Sequence, residues 1–285
     1  MGNLVKAIVL LTLLTLFVLF CGFALGRERG MGIAFILACV TNLGVWWFSD
    51  KMVLTMSRAQ RLTKDEAPEV FEIVRTLSAK AGIPDPRLYM LPSASANTFA
   101  TGRNPKHAAI AITHGIVGLL NKEELSGVLG HELSHILNRD ILLSSIVATL
   151  AGALGRVASM FRWSFFWGGE RDERDNGHPL AWVLAAILMP LVAMFIQLAI
   201  SRSREYRADL CGAQLCEEPL YLASALRKID SVSKRLPLRD AEPATAHLFI
   251  ANPLLGKGWA ALFRTHPSPE DRVARLEAMS MSRPS

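Results

Sequence analysis

Apolar residues gather in four long runs, at residues 7–26, 31–48, 141–161 and 180–200. Each run is about as long as the roughly 20 residues with which a helix crosses the hydrocarbon layer of a bilayer. Arg156 is the one charge inside these runs, and it lies near the end of the third, where a long side chain can reach the interface. Pro190, near the centre of the fourth run, would kink a membrane helix without ending it. The pattern predicts an α-helical membrane protein with about four transmembrane helices, the first two within residues 1–50 and the last two as a hairpin over residues 141–200.

The two remaining segments carry the patterns of a folded domain. The apolar spacing within residues 51–140 predicts one helix and three strands, over 65–81, 87–91, 97–100 and 107–113. Asn121 is placed to cap a further helix, with Glu124 at the position that completes a capping box. Residues 201–285 are expected to be mostly helical, and Ser268 is the predicted N-cap of the last helix.

The positions of lysine and arginine beside the apolar runs predict the orientation of the chain. Basic residues precede the first run and follow the second and the fourth, at Lys6, Lys51, Arg58, Arg61, Lys64, Arg202, Arg204 and Arg207. The loop over residues 162–179 holds three arginines, but four acidic residues surround two of them. Because loops rich in basic residues stay in the cytoplasm, we expect both termini and both folded segments on that side.

Composition narrows the range of functions. The chain has 31 Lys+Arg against 25 Asp+Glu, and this modest basic excess suits a protein beside anionic lipid. Its sequence has no block dense in lysine and arginine with interleaved aromatic residues, so no nucleic-acid partner is expected. Two of the four cysteines lie in apolar runs, and the other two, Cys211 and Cys216, do not form a C-x-x-C motif. A disulfide scaffold is therefore excluded, and a zinc ribbon is disfavoured.

The predicted helix after Asn121 carries an H-E-x-x-H motif, His131-Glu132-Leu133-Ser134-His135. The two histidines are four residues apart, so both project from one helix face and can bind one metal ion. Glu132 lies beside them, placed to take a proton from a water molecule at that metal. The competing interpretation is a helix with two incidental histidines. It is disfavoured because the helix reads as largely buried, and burying two histidines and a glutamate is costly unless they are paired or bind a metal.

A catalytic zinc usually takes three protein ligands, and the third is expected to be Glu205. His135 comes just before the third apolar run and Glu205 just after the fourth, so an antiparallel hairpin would bring both to one membrane face. The same hairpin places His178 in the opposite loop, which excludes it as a ligand. Asp209 follows Glu205 by four residues on the same helix face and is expected to orient a ligating histidine. The alternative is that Glu205 only pairs with a neighbouring arginine such as Arg202.

Three longer stretches carry a resemblance to a known family. They are G-H-E-L-S-H-I-L-N-R-D over residues 130–140, S-R-S-R-E-Y-R-A-D over 201–209 and N-T-F-A-T-G-R-N-P-K-H-A-A-I-A-I-T over 97–113. With the four apolar runs, they make the chain resemble, over essentially its full length, the HtpX family of bacterial membrane zinc metalloproteases. That family belongs to the gluzincins and is related to the type 1 CAAX prenyl protease. The prenyl protease has more spans, which enclose a chamber, so we expect neither a closed chamber nor a prenylated substrate here.

The resemblance implies an α+β zincin-like domain that faces the cytoplasm of a bacterium from its inner membrane. It implies one Zn²⁺ held by His131, His135 and Glu205, with Glu132 as the catalytic base. It further implies that the protein takes part in quality control by cleaving misfolded or damaged membrane proteins under stress.

The resemblance also suggests residues for substrate binding. Residues 107–113 match the strand that forms the substrate-binding edge in zincins, so Ala109 and Ala111 are expected to pair with an extended peptide. An ordinary sheet strand is the alternative. Asn97 is expected to contact substrate, and His266 to donate a hydrogen bond to the oxyanion of the transition state, unless it only flanks the last helix.

We therefore expect a zinc endopeptidase whose partners are membrane-protein substrates and the lipid bilayer. A zinc-dependent membrane scaffold without turnover is the first alternative, but it would have no need of Glu132. A metal transporter is the second, and it would carry histidine or acidic residues inside its spans. The third run contains the small residues Ala148, Gly152 and Gly155. Such residues allow close helix packing, either against the fourth run or against another subunit, so an oligomer is possible.

Overall fold

The computed structural model describes residues 2–167, 201–236, 244–251 and 267–282. The fourth apolar run, at residues 180–200, lies outside the described residues, as do His178 and His266. The helices are α1 (Gly2–Met56), α2 (Pro68–Ala81), α3 (His114–Leu119), α4 (Lys122–Leu137), α5 (Asp140–Trp167), α6 (Arg202–Cys216), α7 (Pro219–Ser233) and α8 (Pro269–Met281). The strands are β1 (Gln60–Arg61), β2 (Arg87–Leu91), β3 (Thr98–Gly102) and β4 (Ala108–Thr113), and single 3-10 turns occur at Pro105–His107 and Ala246–Leu248.

The first two apolar runs form α1, which folds back on itself at Gly26 and Arg27. The backbone leaves the helical region there, with φ of 49° at Arg27. The two arms of the hairpin are joined where the Asn42 amide donates to the Thr15 hydroxyl (2.8 Å). Most of the exposed large apolar side chains among the described residues belong to α1. A surface this apolar suits contact with lipid.

By length and apolar composition, one described helix, Gly26–Met56, is able to cross a bilayer. The arm before it, Leu4–Phe20, is apolar but shorter, and α4 with α5 would make a further span only if this pair, bent by 87°, is taken as one. The long apolar helix agrees with the prediction of a helical membrane protein. The predicted number of four transmembrane helices stays a prediction. The second arm of α1 also continues past the boundary predicted at residue 50, because Val53 and Leu54 are buried against the folded domain.

Four strands form one mixed sheet in the order β1-β2-β4-β3. β2 and β4 are parallel, whereas β1 with β2 and β3 with β4 are antiparallel. The predicted strand over 87–91 has the observed bounds, and the other two are displaced by one or two residues. Residue type and the flanking turn therefore located the strands well, although they carry no information on strand order.

The prediction that residues 107–113 form the edge strand is wrong. β4 lies between β2 and β3, and Ala109 and Ala111 pair with residues of both neighbours. Both alanines are fully buried, so neither can offer its backbone to a peptide. The outer strand of the described sheet on this side is β3.

The central helix of the domain is α4, which is buried along most of its length. Its predicted capping box is confirmed: the Glu124 N–H donates to the Asn121 side chain (2.8 Å), and the Asn121 N–H donates to the Glu124 carboxylate (3.1 Å). Its apolar side chains join one core with α2, the sheet, α7 and α8. Such burial makes every polar group on α4 costly unless it has a partner.

Three glycines let the neighbouring helices approach the backbone of α4. A Cβ added at Gly212 of α6 would lie 2.8 Å from the His131 nitrogen, and one at Gly127 would lie 2.5 Å from the Leu222 nitrogen of α7. Gly130 faces Gly212 across the same contact. The close approach brings side chains of α6 within reach of the H-E-x-x-H face.

We expect Gly212→Ala to destabilise the protein by about 1–3 kcal/mol, because the new Cβ has backbone rather than flexible side chain in front of it. Gly118→Ala on α3 is the matched control, since a Cβ there meets nothing within 4 Å and alanine favours helix. Thermal unfolding of both variants in detergent measures the difference. Equal stability of the two variants would show that α6 can retreat from α4 without cost.

Candidate metal centre

The H-E-x-x-H motif lies on α4, in the interior of the domain. His131 and Glu132 are each 1% exposed, and His135, one turn further on, is partly buried. The Nε2 atoms of the two histidines face each other at 3.2 Å. The helical spacing thus brings the two rings to one point, as predicted.

Carboxylates fix which ring nitrogen of each histidine carries the proton. The Asp209 carboxylate lies 2.9 Å from Nδ1 of His131, and the Asp140 carboxylate lies 3.1 Å from Nδ1 of His135. An ionised carboxylate only accepts hydrogen bonds, so both Nδ1 atoms must donate. In the neutral rings both Nε2 atoms then carry lone pairs, and these point at each other.

Glu205 completes the group. Its carboxylate oxygens lie 3.8 Å from Nε2 of His131 and 3.8 Å from Nε2 of His135. One donor atom from each of the three residues lies within 4.8 Å of the others, and all three belong to the described part of the chain. Two imidazole lone pairs and a carboxylate that converge in a protein interior fit a cation, and this donor set is one that zinc prefers.

The surroundings shift the pKa values of the two histidines in opposite directions. Burial, together with the charge of Arg272, lowers the pKa of His131 to about 4. Burial also opposes a charge on His135, yet its hydrogen bond to Asp140 and the charges of Glu205 and Glu132 raise its pKa to about 9. His131 is therefore neutral at pH 7 and ready to act as a ligand, whereas a metal must compete with a proton at His135.

Glu132 lies between the metal ligands and the edge of the sheet. Burial raises its pKa to about 7, and the neighbouring charge of Glu205 acts in the same direction. The N–H of Ala100 on β3 donates to its carboxylate. A carboxyl group with this pKa can both accept and return a proton near neutral pH.

Asp209 is held in place by Arg272 of α8, which is almost fully buried. The guanidinium donates to both carboxylate oxygens, from Nε at 2.9 Å and from the terminal nitrogen at 2.6 Å. Burial opposes ionisation of Asp209, but the charge and hydrogen bonds of Arg272 prevail and lower its pKa to about 2. The ionised aspartate can then orient His131, which is the role predicted for it.

The ligands and Glu132 line a cavity of about 30 Å³, which has room for one or two water molecules. His247 also lines it, with Nε2 3.2 Å from the Ser144 carbonyl oxygen. Asn97 exchanges hydrogen bonds with the backbone of Ala251, and its predicted contact with substrate stays a prediction. The oxyanion role of His266 stays a prediction.

Sequence reasoning missed Asp140 and Arg272. Asp140 follows the H-E-x-x-H motif in the sequence, so a carboxylate just past the end of the helix was a usable signal. Arg272 stands in the first turn of α8, far from the motif along the chain, and no local pattern marks it. His247 lies outside the group of converging donor atoms found among the described residues.

Comparison with known proteins agrees with this geometry. Residues 64–280 match the family described as Peptidase family M48. A protease HtpX homolog of Syntrophobacter fumaroxidans is 51% identical over 282 residues, covering 98% of this chain and 100% of that protein. Homologs of the same description from Persephonella marina and Pyrococcus furiosus are 48% and 45% identical, each with 97% of its length covered.

Among solved structures, the crystal structure of S. mikatae Ste24p matches with a TM-score of 0.50 at 19% identity. The match covers 97% of this chain and 66% of that one. At this identity the likeness concerns the fold alone.

Zinc affinity should separate a ligand from a residue that orients one. Glu205→Ala removes a donor atom, so we expect it to abolish stoichiometric zinc binding. Asp140→Ala and Asp209→Ala leave all three donors and should weaken binding by about 10–100-fold. Competition with a chelator measures all three, and Glu72→Ala, an exposed carboxylate on α2, is the control. Near-normal zinc affinity in Glu205→Ala would show that Glu205 is not a ligand and only forms ion pairs.

Proposed function

Because the chain belongs to peptidase family M48, whose members are metallopeptidases, we propose that it is a zinc endopeptidase of the bacterial inner membrane that cleaves misfolded or damaged membrane proteins on the cytoplasmic side. The observation that carries the proposal is the convergence of His131, His135 and Glu205 beside the buried Glu132. Relatives that are described as proteases and match over nearly the whole chain support it.

The chemistry divides between the metal and Glu132. When held by its three ligands, zinc supplies a Lewis acid that polarises a carbonyl oxygen and makes a neighbouring water easier to deprotonate. Glu132 accepts the proton of the attacking water and returns it to the leaving amine as the peptide bond breaks. Its burial and the Ala100 N–H hold the carboxylate in the cavity beside the ligands.

The alternative of a zinc-dependent scaffold without turnover is disfavoured by Glu132. A structural site needs ligands and the groups that orient them, and Asp140, Asp209 and Glu205 already fill those roles. A further buried acid with a raised pKa costs stability at neutral pH, since the folded state resists its ionisation. A role for Glu132 in proton transfer during catalysis explains why a destabilising buried acid is present.

The membrane setting follows from α1 and from the basic residues that flank the apolar runs. The exposed apolar surface of α1 supports contact with the lipid bilayer. Lys51 lies near the end of its second arm, and Arg58 and Arg61 follow that arm. We propose a cytoplasmic active site, substrates among damaged membrane proteins and expression under stress. Two small residues of the helix over residues 141–161 pack within the chain instead: Ala148 is fully buried, and a Cβ added at Gly152 would lie 2.3 Å from the Met56 side chain, so no self-association through them is proposed.

Glu132→Gln should separate zinc binding from turnover. We expect one zinc per chain to remain, because no ligand is changed, while cleavage of casein falls by about 10²–10⁴-fold with loss of the general base. Glu123→Gln, exposed on the first turn of the same helix, is the matched control and should cleave at the normal rate. Full activity in a clean preparation of Glu132→Gln would show that Glu132 is not the general base.

The orientation is open to a direct test with reporter fusions. A reporter after Ser285 should be active in the cytoplasm, and one inserted within residues 168–176 should be on the opposite side, because the basic residues flank the other membrane ends. A cytoplasmic reporter within residues 168–176 would contradict the four-span arrangement.

A further inference from the structure

A short apolar segment of the chain lies against the outer strand of the sheet, next to the metal centre. We name residues 248–251, Leu-Phe-Ile-Ala, the strap. The Ile250 N–H donates to the Thr98 carbonyl oxygen of β3 at 3.0 Å. In an antiparallel pair, the N–H and C=O groups of every second residue point away from the partner strand. In β3 these residues are Thr98, which accepts from Ile250, and Ala100, which donates to Glu132, so both point away from β4. The strap therefore occupies the edge of β3 that β4 leaves open.

The groups that hold the strap recognise backbone rather than side chains. The Asn97 amide donates to the Ala251 carbonyl oxygen (2.9 Å), and the Ala251 N–H donates back to the Asn97 side-chain oxygen (3.3 Å). Arg272 donates to the Ile250 carbonyl oxygen at 3.3 Å. Both peptide groups of Ile250 and Ala251 are thus bonded as an extended peptide on a sheet edge would be, with little demand on its sequence.

The side chains of the strap contact the cavity and the adjacent strand β3. Leu248 and Ile250 line it together with the metal ligands and Glu132. Phe249 is buried and packs edge-to-face against Phe99 of β3, with ring centroids 5.1 Å apart. An apolar peptide of this chain thus lies where a scissile peptide would have to lie to meet Glu132.

We infer that the strap occupies the substrate groove, and that the substrate is an extended apolar stretch of polypeptide which displaces it and takes over its bonds to Thr98, Asn97 and Arg272. The inference rests on the proposed function and names its substrate class. The strap is not a strand of the sheet, so displacement breaks few backbone bonds. As part of the same chain it competes at an effective concentration in the millimolar range. A folded protein cannot present such a peptide, whereas an unfolded apolar segment can.

Hydrogen exchange distinguishes a displaceable strap from a fixed wall of the groove. The protein is full-length Glu132→Gln, loaded with zinc in detergent, so that binding is observed without cleavage. The probe is the blocked peptide Lys-Leu-Phe-Ile-Ala-Lys, and the control peptide has proline in place of isoleucine, which removes the corresponding N–H. We expect the probe to bind and to make the amides of Ile250 and Ala251 exchange about tenfold faster, because their partners have been taken. Slower exchange of these amides with bound probe would show that the strap is a permanent wall and would overturn the inference.

Loosening the strap should strengthen peptide binding. Ile250→Pro removes the N–H that binds Thr98, and Phe249 already has φ −75° and ψ 141°, which a following proline allows. Ile250→Val keeps that N–H, so the contrast between the two isolates the backbone bond. If the closed strap holds about nine-tenths of the molecules, the proline variant should bind the probe about tenfold more tightly than the valine variant.

Phe249→Ala provides a second variant that keeps the backbone, in case Ile250→Pro does not fold. It removes the contact with Phe99 and should also tighten binding of the probe. Unchanged or weaker binding in the folded variants would overturn the inference. Because these measurements need no turnover, a failure of zinc-dependent cleavage would count against the proposed function and leave the strap untouched.

Discussion

Two lone pairs that face each other in a protein interior set the main constraint on this structure. Asp209 and Asp140 each bind the Nδ1 of one histidine, so in the neutral rings the Nε2 atoms of His131 and His135 meet as acceptors at 3.2 Å. With Glu205 facing both, only a positive charge between them makes the arrangement favourable. Because α4 is buried, water cannot solvate these groups, and the need for a positive charge between them is strong.

The elements around α4 serve to bring these carboxylates together. Glu205 and Asp209 come from α6, which lies on the backbone of α4 because Gly130 and Gly212 have no side chains. Arg272 reaches from α8 to hold Asp209 with two hydrogen bonds. The candidate metal centre is therefore shared by segments far apart in the chain, and it forms only when the two halves of the domain have packed.

The candidate metal centre is also tied to the apolar helices α1 and α5. Asp140 is the first residue of α5, and the chain turns by 87° between α4 and α5 with Arg139 in the left-handed region (φ 57°). On the other side, Asp50 near the end of α1 pairs with Arg87 of β2 (2.6 Å), and Arg103 stacks on Trp47. A change in the position of α5 would thus reach His135 through Asp140, and a change in the position of α1 would reach the sheet.

The sequence by itself determined the chemistry that depends on local spacing. The i, i+4 pairs His131 with His135 and Glu205 with Asp209 follow from the helix period. The capping box at Asn121 and the approximate strand positions follow from residue type. Strand order does not, because alternation marks faces and not neighbours, and the expected edge strand proved to be central. Only the tertiary structure decided that Asp140 binds His135, that Arg272 holds Asp209 and that residues 248–251 lie on β3. These contacts join residues that no period relates, so their geometry is fixed by packing alone.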